Sequence, residues 1–548
     1  MTGAGAGPKV SPNVDELIAR HVRPDAHLHF ASTMARPNAL IYAVARALRD
    51  RGRLTVSMAS IHSSAHALAL SGAVRRVITG FIGDIYPSPR PNPLYRDLAH
   101  GAPFEAQMWS LLSLVQRLMA AALGQPFAVT SSLVGSDLAH DKGDDLRTLP
   151  VHDVALLTAL RPDLALVHGV CADGRGNVVL CPPYGEGAWS AYAATNGVLA
   201  SVERILPDED VAGLADHVVI PAQRVIGLCE APLGAHPQGL RTNDICGIAG
   251  YPDDYAFMTE VTQRCNTPDG AARWFDEWVD LPSGHAEYLA KLKAWPAAAV
   301  VAPAAPASTA TQQERLIVLA ARAVVGQVRA RGYDTLMAGV GASHLAAWLA
   351  AALLRAERND VTVVAELGFI GMRPGPGDAF LFSHRHIPHT TQLAGIPEVL
   401  GGMVAANRRC LGVLAAAEVD EHGNVNTSRL PDGRWLTGSG GANDTASTSD
   451  CVVVCTAAPW RYVPKVAYVT SPGQRVVEVV SQFGRFQRAA GDEAFELTSW
   501  WPGEQGPQAL VDDLTAWSVR TDRAVPEPEI GKQELLLLRE LDPEGHYR

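Results

Sequence analysis

Apolar residues recur at helical spacing early in each half of the chain, and an apolar strand pattern follows each time. The first such segment is 39–58 and the second is 315–339. Spacing of three to four residues predicts one buried face on a helix. The recurring apolar positions are Leu40, Val44 and Leu48 in the first segment and Leu316, Leu319 and Val324 in the second.

Two short motifs also occur once in each half, in the same order. The tetrad GFIG stands at 80–83 and at 368–371, and Asp-x-x-Gly-Asn-Val stands at 173–178 and at 420–425. Each Asp-x-x-Gly-Asn-Val follows an apolar strand pattern, as a turn containing Gly and Asn would. Together with the helix and strand pairs, these echoes predict the duplication and fusion of one α/β unit.

An Ala/Pro-rich stretch without periodicity separates the two halves, which is typical of a linker. We therefore predict a first domain over 1–294, a linker over 295–313 and a second domain over 314–548. Alternating apolar strands and helices predict an α/β fold of two tandem, internally duplicated domains, each with a parallel sheet covered by helices. Sites in such sheets lie at the carboxyl ends of the strands.

One such strand end carries an acid within an apolar run. Val363 and Val364 precede Glu366, and the second GFIG tetrad follows it, whereas the first tetrad has Ile78 at the corresponding place. Burying a carboxylate without a partner or a purpose is costly. Glu366 is therefore the first candidate for a catalytic side chain.

Composition narrows the function classes. At 548 residues the chain is too long for one core, and its 46 basic and 57 acidic residues leave a net charge of −11, with no run of Lys or Arg. This excludes the electrostatic signature of a nucleic-acid partner. The longest apolar stretches, such as 344–354, are shorter than the ~20 residues of a membrane span. The start shows no apolar signal segment, so we expect a cytoplasmic protein without a membrane partner.

A set of motifs in order along nearly the whole chain resembles the class I CoA-transferases, in particular the glutaconate CoA-transferase branch. In that family an α-type and a β-type subunit share one fold, so the resemblance implies an α-like domain over 1–294 fused to a β-like domain over 314–548. The matching stretches are RPNAL (36–40), SPRPNPLYRDLAHG (88–101), SSLVGSDL (131–138), DLALVHGVCADGRGNV (163–178), AELGFIG (365–371), VDEHGNVNTS (419–428), GSGGAND (438–444) and VPKVAYVTSPG (463–473).

The resemblance implies a role for Glu366 as the nucleophile of the β-like domain. Its carboxylate would attack an acyl-CoA, and CoA would then return to form a glutamyl-CoA thioester that a carboxylic acid accepts, with ping-pong kinetics. The implied partners are an acyl-CoA, a small carboxylic acid and a second copy of the chain in a homodimer. Coenzyme A would be a substrate, and no permanently bound cofactor or metal is expected.

Departures from the family pattern leave a second activity open. Many members have Ser before the glutamate and Asn after it, where this chain has Ala365 and Leu367. Members also have a glycine-rich segment near the reacting carbonyl in the α-type half, and the corresponding segment here, HFASTMARPN (29–38), has no glycine. Some homologues with altered sites hydrolyse CoA thioesters, including ring-opening ones. Water intercepting the anhydride on the same nucleophile would give that outcome.

Further candidates surround this chemistry in the sequence. Glycine-rich turns let backbone N–H groups approach a ligand, so we expect substrate or CoA binding from two of them and from neighbouring residues. These binding candidates are Gly339, Gly341, Gly368, Gly438, Gly440, Gly441 and Asn443. Asn92 and Arg96 could orient a substrate carboxylate, or could equally cap their own loop. Glu105 is a reserve acid or base for a hydrolase.

Two other functions are considered beside these: a zinc-dependent hydrolase built on histidine clusters, and a protein that binds CoA esters without catalysis. His27 and His29 form the His-x-His of zinc amidohydrolases, and His384, His386 and His389 lie close together further on. A duplicated chain with a central linker does not fit the single barrel that a zinc amidohydrolase needs. A third possibility is a CoA-ester-binding relative in which Glu366 performs no chemistry.

Overall fold

The first half of the protein is built on a ten-stranded sheet. The computed structural model describes residues 9–31, 35–149, 152–295, 309–375, 377–488 and 494–548. The strands of this half are β1 (Lys9–Val10), β2 (His27–Phe30), β3 (Leu54–Ser57), β4 (Ser60–Ile61), β5 (Val74–Thr79), β6 (Phe81–Ile82), β7 (Glu105–Met108), β8 (Phe127–Thr130), β9 (Leu146–Leu149), β10 (Val154–Thr158), β11 (Leu164–Asp173), β12 (Val178–Val179), β13 (Gly197–Leu206), β14 (Val218–Ile220) and β15 (Val225–Glu230). The helices are α1 (Val14–His21), α2 (Asn38–Ala47), α3 (His66–Leu70), α4 (Leu111–Ala122), α5 (Trp189–Ala193), α6 (Asp208–Ala212), α7 (Tyr255–Arg264), α8 (Pro268–Phe275) and α9 (His285–Leu292).

This sheet is parallel along its main path, in the order β1-β15-β13-β11-β2-β3-β5-β7. Every residue of β11 is buried. A continuous buried run is expected where helices cover a parallel sheet, because neither face of the strand meets water. Smaller sheets, β8-β10-β9 and β4-β6, flank it.

The second half contains another ten-stranded sheet. Its strands are β16 (Thr335–Ala338), β17 (Thr362–Ala365), β18 (Phe369–Met372), β19 (Thr390–Leu393), β20 (Cys410–Ala415), β21 (Glu418–Asp420), β22 (Val425–Asn426), β23 (Asp450–Val454), β24 (Tyr462–Val463), β25 (Val476–Val480), β26 (Gly484–Gln487), β27 (Glu496–Trp500) and β28 (Val525–Pro526). Its helices are α10 (Gln312–Arg331), α11 (Ala342–Ala356), α12 (Ala442–Thr448), α13 (Pro507–Leu514) and α14 (Lys532–Leu541).

The order of this second sheet is β19-β18-β17-β16-β20-β23-β25-β26-β27-β28, and its central strands from β17 to β25 are parallel. The predicted α/β class with two tandem parallel sheets is therefore confirmed. Among the described residues, no helix has both the length and the apolar character needed to cross a bilayer.

The predicted linker lies mostly outside the described residues, since 296–308 are not among them. The element before it, α9, ends at Leu292, and α10 begins at Gln312. A capping box starts α10: Thr311 accepts the Glu314 N–H, and the Glu314 carboxylate accepts the Thr311 N–H. The domain boundaries at 294 and 314 remain a prediction.

Sheet order shows which strands of the two halves correspond. The strand order β11-β2-β3 in the first sheet matches β20-β16-β17 in the second, because each run continues on the side of its first strand with two more parallel strands, β13 and β15 in the first sheet and β23 and β25 in the second. β3 is therefore the counterpart of β17. The two GFIG tetrads are not counterparts, since the first links β5 to β6 and the second links β17 to the antiparallel β18. The two helix and strand segments are not counterparts either: 39–58 contains α2 and β3, whereas 315–339 contains α10 and β16, and β16 corresponds to β2.

The third echo does join equivalent places. Asp173 at the end of β11 accepts the backbone N–H groups of Gly176 and Asn177, each at 2.8 Å. Asp420 at the end of β21 accepts the N–H groups of His422 at 3.0 Å and Asn424 at 2.9 Å. In each turn the Asn side chain also donates to the aspartate, so the motif is a local turn that its own side chains stabilise.

Candidate active site

A cavity of about 590 Å³ lies where the two halves meet. The carboxyl ends of strands from both sheets and a loop from the second half surround it, and most of its wall is apolar. Residues of the first half that line it include Ala59, Ser60, His62, Phe81, Ile85 and Leu111; those of the second half include Met337, Gly339, Val340, Gly341, Glu366, Leu367, Gly438, Gly440, Gly441 and Arg461.

Glu366 reaches this cavity from a tight turn between β17 and β18. Gly368 has a φ of +124°, and a Cβ there would lie 2.3 Å from the Ala394 carbonyl oxygen. Only glycine fits this conformation and this space, so Gly368 shapes the turn and does not line the cavity. The strand end thus presents the glutamate side chain, partly exposed, to the space between the halves.

Among the described residues, the Glu366 carboxylate has one direct hydrogen-bond donor, the backbone N–H of Gly441, which lies 2.8 Å from Oε2. The pKa of Glu366 is raised to about 7, chiefly because burial disfavours the charged form; the Gly441 N–H lowers it and the nearby Asp444 charge raises it within that net value. Near neutral pH the side chain is therefore divided between its acid and its carboxylate form.

Gly441 allows this contact because it has no side chain. A Cβ at this position would lie 2.2 Å from Glu366 Oε2 and 3.1 Å from Leu400 Cδ1. The backbone can approach the carboxylate only where no Cβ intervenes. Gly441 is thus positioned to hold the glutamate rather than to bind a ligand directly.

The glycine loop 438–441 is fastened to the first half of the chain. Gly440 N–H donates to the Gly80 carbonyl and Leu111 N–H donates to the Gly440 carbonyl, each at 3.0 Å. Within the second half, Gly438 N–H donates to the Thr427 carbonyl at 2.9 Å. Ile82 N–H donates to the Thr437 carbonyl at 2.8 Å. The amides of Gly438 and Gly440 therefore have protein partners, while both residues line the cavity, so their part in substrate binding stays a prediction. The first GFIG tetrad serves as the docking edge for this loop.

The start of α12 fastens the two halves together just behind the loop. Asn443 Oδ1 accepts the Leu133 N–H at 2.8 Å, and its Nδ2 donates to the Thr470 carbonyl at 2.9 Å. Asn443 is fully buried and does not line the cavity, so it acts as a tether and not as a substrate ligand.

Asp444 is the second buried group of α12. Its Oδ2 accepts the Leu112 N–H at 3.0 Å, at the start of α4 in the other half. Burial raises the pKa of Asp444 to about 6, while hydroxyls of Ser110 and Ser132 and the N–H groups that open α4 lower it. A negative charge near a helix N-terminus is favourable, so Asp444 stabilises the contact between the halves.

Gly339 and Gly341 line the cavity at the N-terminus of α11. Gly339 N–H donates to the Val413 carbonyl at 2.9 Å, and Gly341 N–H lies 3.0 Å from His344 Nδ1. Val340 and Ala342 line the cavity beside them. The first turn of this helix therefore faces the cavity, and its dipole favours negative charge there.

Three other predicted residues lie away from the cavity. Asn92 is buried, accepts the Leu94 N–H at 3.0 Å and donates to both carboxylate oxygens of Asp84, so it caps its own loop. Arg96 is exposed in that same loop. Glu105 is exposed at the start of β7. None of these side chains reaches Glu366 in this structure.

Three histidines of the two clusters, His27, His29 and His386, have ordinary protein partners. His27 Nε2 and His29 Nδ1 both lie 2.9 Å from Ser57 Oγ, and His386 Nε2 lies 2.9 Å from the Phe380 carbonyl. Within the ranges that the structure describes, no group of three or more His, Cys, Asp or Glu side chains could hold a metal ion.

A buried polar group of the first half, Arg36, contacts two residues that line the cavity and was not among the predicted site residues. Arg36 is 5% exposed; its Nη1 lies 3.1 Å from His62 Nε2, and its Nη2 donates to the Ser60 carbonyl. The stretch 36–40 was noticed as a family motif, but nothing local in it indicates that Arg36 reaches the end of β3.

Comparison with known proteins agrees with the fold. A family model for coenzyme A transferase matches residues 12–227. One of the two polypeptides of the 3-oxoadipate CoA-transferase of Pseudomonas knackmussii is 26% identical over 182 residues, which are 33% of this chain and 61% of that polypeptide. The other polypeptide of the same enzyme is 26% identical in an alignment of 211 residues that covers 33% of this chain and 78% of that polypeptide. The chain thus spans less than two thirds of the first of these relatives.

A solved acyl-CoA transferase of Escherichia coli O157:H7, in a thioester complex with CoA, has a TM-score of 0.66 to this protein. The match covers 95% of each chain at 16% identity, and it shows a common fold. Sequence similarity to coenzyme A transferases thus covers residues 12–227, and the chain as a whole has the fold of a solved acyl-CoA transferase.

Proposed function

We propose that the protein transfers CoA between an acyl-CoA and a carboxylic acid through a glutamyl-CoA thioester on Glu366. The observation that carries the proposal is the Glu366 carboxylate, presented by a strand-end turn to a cavity that both halves line and held there by the Gly441 N–H. The names of the 3-oxoadipate CoA-transferase relatives, and the thioester complex of the Escherichia coli enzyme, support the same chemistry.

The reaction begins when an ionised Glu366 oxygen attacks the thioester carbonyl carbon. The carbon–sulfur bond breaks, CoA leaves as a thiolate, and a mixed anhydride remains. The thiolate then attacks the glutamyl carbonyl, and the first carboxylic acid departs as its carboxylate, leaving the glutamyl-CoA thioester. The acceptor carboxylate repeats both steps in reverse order, so no net proton is gained or lost. Such covalent catalysis replaces one difficult transfer with easier steps and gives ping-pong kinetics.

The raised pKa of Glu366 suits this cycle. A carboxylate that burial destabilises gains more by forming a covalent bond than a solvated one does, provided that enough of it is ionised. At a pKa of about 7, a substantial fraction is ionised at neutral pH. We assign the binding of negative charge on the substrate to the N-terminus of α11, where Gly339 and Gly341 line the cavity.

The remaining features of the proposal concern partners and location. Coenzyme A enters as a substrate and is not a resident cofactor, and the partners are an acyl-CoA and a small carboxylic acid. Assembly as a homodimer and a cytoplasmic location also belong to this proposal. The match of residues 12–227 to the coenzyme A transferase family model and the acidic net charge of −11 favour a CoA-transferase over a nucleic-acid-binding protein.

The test is mass measurement of the intact protein after incubation with a panel of acyl-CoAs. We expect a CoA-sized adduct on the wild-type chain that peptide mapping locates on Glu366, and no adduct on Glu366→Ala. The matched control is Glu105→Gln, which removes the exposed acid of β7 and should leave the adduct in place. An adduct that persists in Glu366→Ala, or that disappears in Glu105→Gln, would assign the nucleophile elsewhere.

Supplying water alone as acceptor distinguishes transfer from hydrolysis. A transferase holds its adduct until an acid arrives, whereas a hydrolase releases free CoA continuously through attack of water on the anhydride or thioester. Free CoA that accumulates equally fast with and without an acceptor acid would favour the acyl-CoA hydrolase.

A further inference from the structure

A small, mostly apolar chamber opens beside the Glu366 cavity. It has a volume of about 60 Å³ and shares Ser60, His62 and Leu367 with the main cavity. Because Leu367 directly follows Glu366, the chamber begins next to the reacting carboxylate. Its deeper wall contains Arg36, Gln238 and Asp253.

Arg36 brings a buried positive charge to this chamber. Its guanidinium donates to backbone carbonyl groups of Ser60 and His62, and in the described part of the chain no carboxylate forms an ion pair with it. Glu186 acts on it only electrostatically and is itself bonded to His29 at 2.6 Å. A buried charge without a paired opposite charge is costly unless a ligand supplies that charge.

Gln238 adds a free donor to the same wall. Asn38 Nδ2 donates to the Ala235 carbonyl and to Gln238 Oε1, each at 2.6 Å. The carbonyl group of Ala235 fixes the orientation of the Asn38 amide, and Asn38 in turn fixes that of Gln238. Gln238 Nε2 is therefore left without a partner among the described residues, on a side chain that is only 8% exposed.

The acid in this wall does not compete for Arg36. Asp253 Oδ1 accepts the Gly239 N–H at 3.0 Å, and Oδ2 accepts the His384 N–H at 3.4 Å. The path from Glu366 to the donors passes apolar groups, among them Ile85, Leu367 and Phe382. The chamber thus combines an apolar entrance with two buried donors at its far end, in a volume that suits a group of the size of a carboxylate, given ~30 Å³ for a water molecule.

We propose that this chamber receives the far end of the acyl group, and that Arg36 and Gln238 select acyl chains that end in a carboxylate. The inference rests on the proposed function and specifies its substrate class. The acyl chain extends from the thioester carbonyl at Glu366 past Leu367, and its terminal carboxylate accepts hydrogen bonds from the Arg36 guanidinium and from Gln238 Nε2. The CoA part leaves through the larger cavity.

The experiment compares acyl-CoAs that differ only at the far end. Succinyl-, glutaryl- and adipyl-CoA are measured against butyryl-, valeryl- and hexanoyl-CoA, and the terminal amide of glutaryl-CoA is the neutral polar control. In the wild-type protein, kcat/KM should be highest for a carboxylate-ended chain of one length. In Arg36→Met, its ratio to the methyl-ended partner should fall on the order of 100-fold, as expected for a lost charged hydrogen bond.

Two further variants separate recognition from folding. Gln238→Met should lower the same ratio by roughly tenfold, since it removes a neutral donor without changing charge. Arg36→Lys should recover part of the loss, because it restores the charge without the planar geometry. A ratio unchanged in Arg36→Met and Gln238→Met, or an equal loss for the terminal amide, would overturn the proposal of a carboxylate-binding chamber.

Failure of the proposed function would be recognised independently. If no acyl-CoA gives turnover or adduct, calorimetric binding of free glutarate and valerate to the full-length protein tests the chamber alone. A preference for glutarate that Arg36→Met abolishes supports the chamber. Equal binding of the two acids overturns it.

Discussion

The ends of β3 and β17 are equivalent places in the two sheets, yet they carry opposite chemistry. After β17 the chain presents Glu366, a carboxylate that the Gly441 N–H holds. After β3 the chain presents small residues and backbone carbonyl groups, and the Ser60 carbonyl accepts a hydrogen bond from the buried guanidinium of Arg36. Both ends line the same cavity.

This difference shows how one duplicated unit can supply two halves of a reaction site. A site needs one nucleophile, and a second carboxylate facing the first would raise the pKa of both. The counterpart strand end is therefore free to hold donors for a substrate, while the first GFIG tetrad docks the glycine loop that positions the acid.

The largest expected effect comes from exchanging a side chain at each strand end. Glu366→Gln should lower the rate of transfer by about 1,000-fold or more, because it removes the nucleophile. Ser60→Ala, the matched change after β3, should lower it less than about tenfold, because this hydroxyl is not the nucleophile of the proposed cycle. Steady-state transfer with a donor and acceptor pair measures both; comparable losses would contradict the division of roles.

A smaller loss should follow when the support of the acid is disturbed. Gly441→Ala places a methyl group against Glu366 Oε2 and should displace the carboxylate, with a loss in kcat of roughly 100-fold, as is common for a displacement of about 1 Å. Gly402→Ala is the control, since a Cβ at that exposed position meets nothing within 4 Å. An equal effect of the two changes would mean that the Gly441 contact does not position the nucleophile.

The pH dependence of adduct formation should depend on the charge of Asp444, which raises the pKa of Glu366. The single-turnover rate should rise with pH as Glu366 ionises, with a midpoint near its pKa of about 7. Asp444→Asn removes a negative charge that favours the protonated form, so the midpoint should move to lower pH by roughly half a unit. Asp512→Asn, at an exposed site of α13, should leave the midpoint in place. A shift to higher pH would contradict the assigned sign.

The smallest effect concerns stability. The pKa of Glu366 is raised from 4.5 to about 7 in the folded protein, so the folded state retains a proton that the unfolded state has lost between these values. The stability of the wild type relative to Glu366→Gln therefore falls as pH rises through this window and is constant above it. We expect Glu366→Gln to be more stable by about 1 to 3 kcal/mol at pH 8 and by less at pH 5. Denaturant unfolding at both pH values measures this; a difference independent of pH would show that Glu366 is not desolvated.

Much of the fold could be predicted from local patterns. The apolar runs of β11 and β20 and the helical spacing in α2 and α10 indicated parallel sheets with helices, since buried strands and amphipathic helices impose different periods on the sequence. The register of the duplication could not be predicted. The repeated GFIG letters lie on strands that are not counterparts, because the order of strands in a sheet depends on contacts distant in the chain.

Some residues of the candidate site could be identified from the sequence and others could not. Glu366, Gly339, Gly341, Gly438, Gly440 and Gly441 were identified from the sequence, and the structure places them around one cavity. Asn92, Arg96 and Glu105 were also candidates, but polar side chains in loops look alike in sequence whether they cap a turn or face a ligand. Arg36 and Gln238 were missed, because neither is unusual among its neighbours in the chain.

By itself the sequence determined the α/β class, the two-part organisation and the presence of an acid at the end of an apolar strand, because each of these is written in neighbouring residues. The tertiary structure alone decided what surrounds that acid. The Gly441 contact spans 75 residues, the Asn38–Gln238 contact 200 and the Leu112–Asp444 contact 332. The first two contacts join distant elements within one half and the third joins the two halves, so all three form only when the chain has folded and neighbouring residues cannot indicate them.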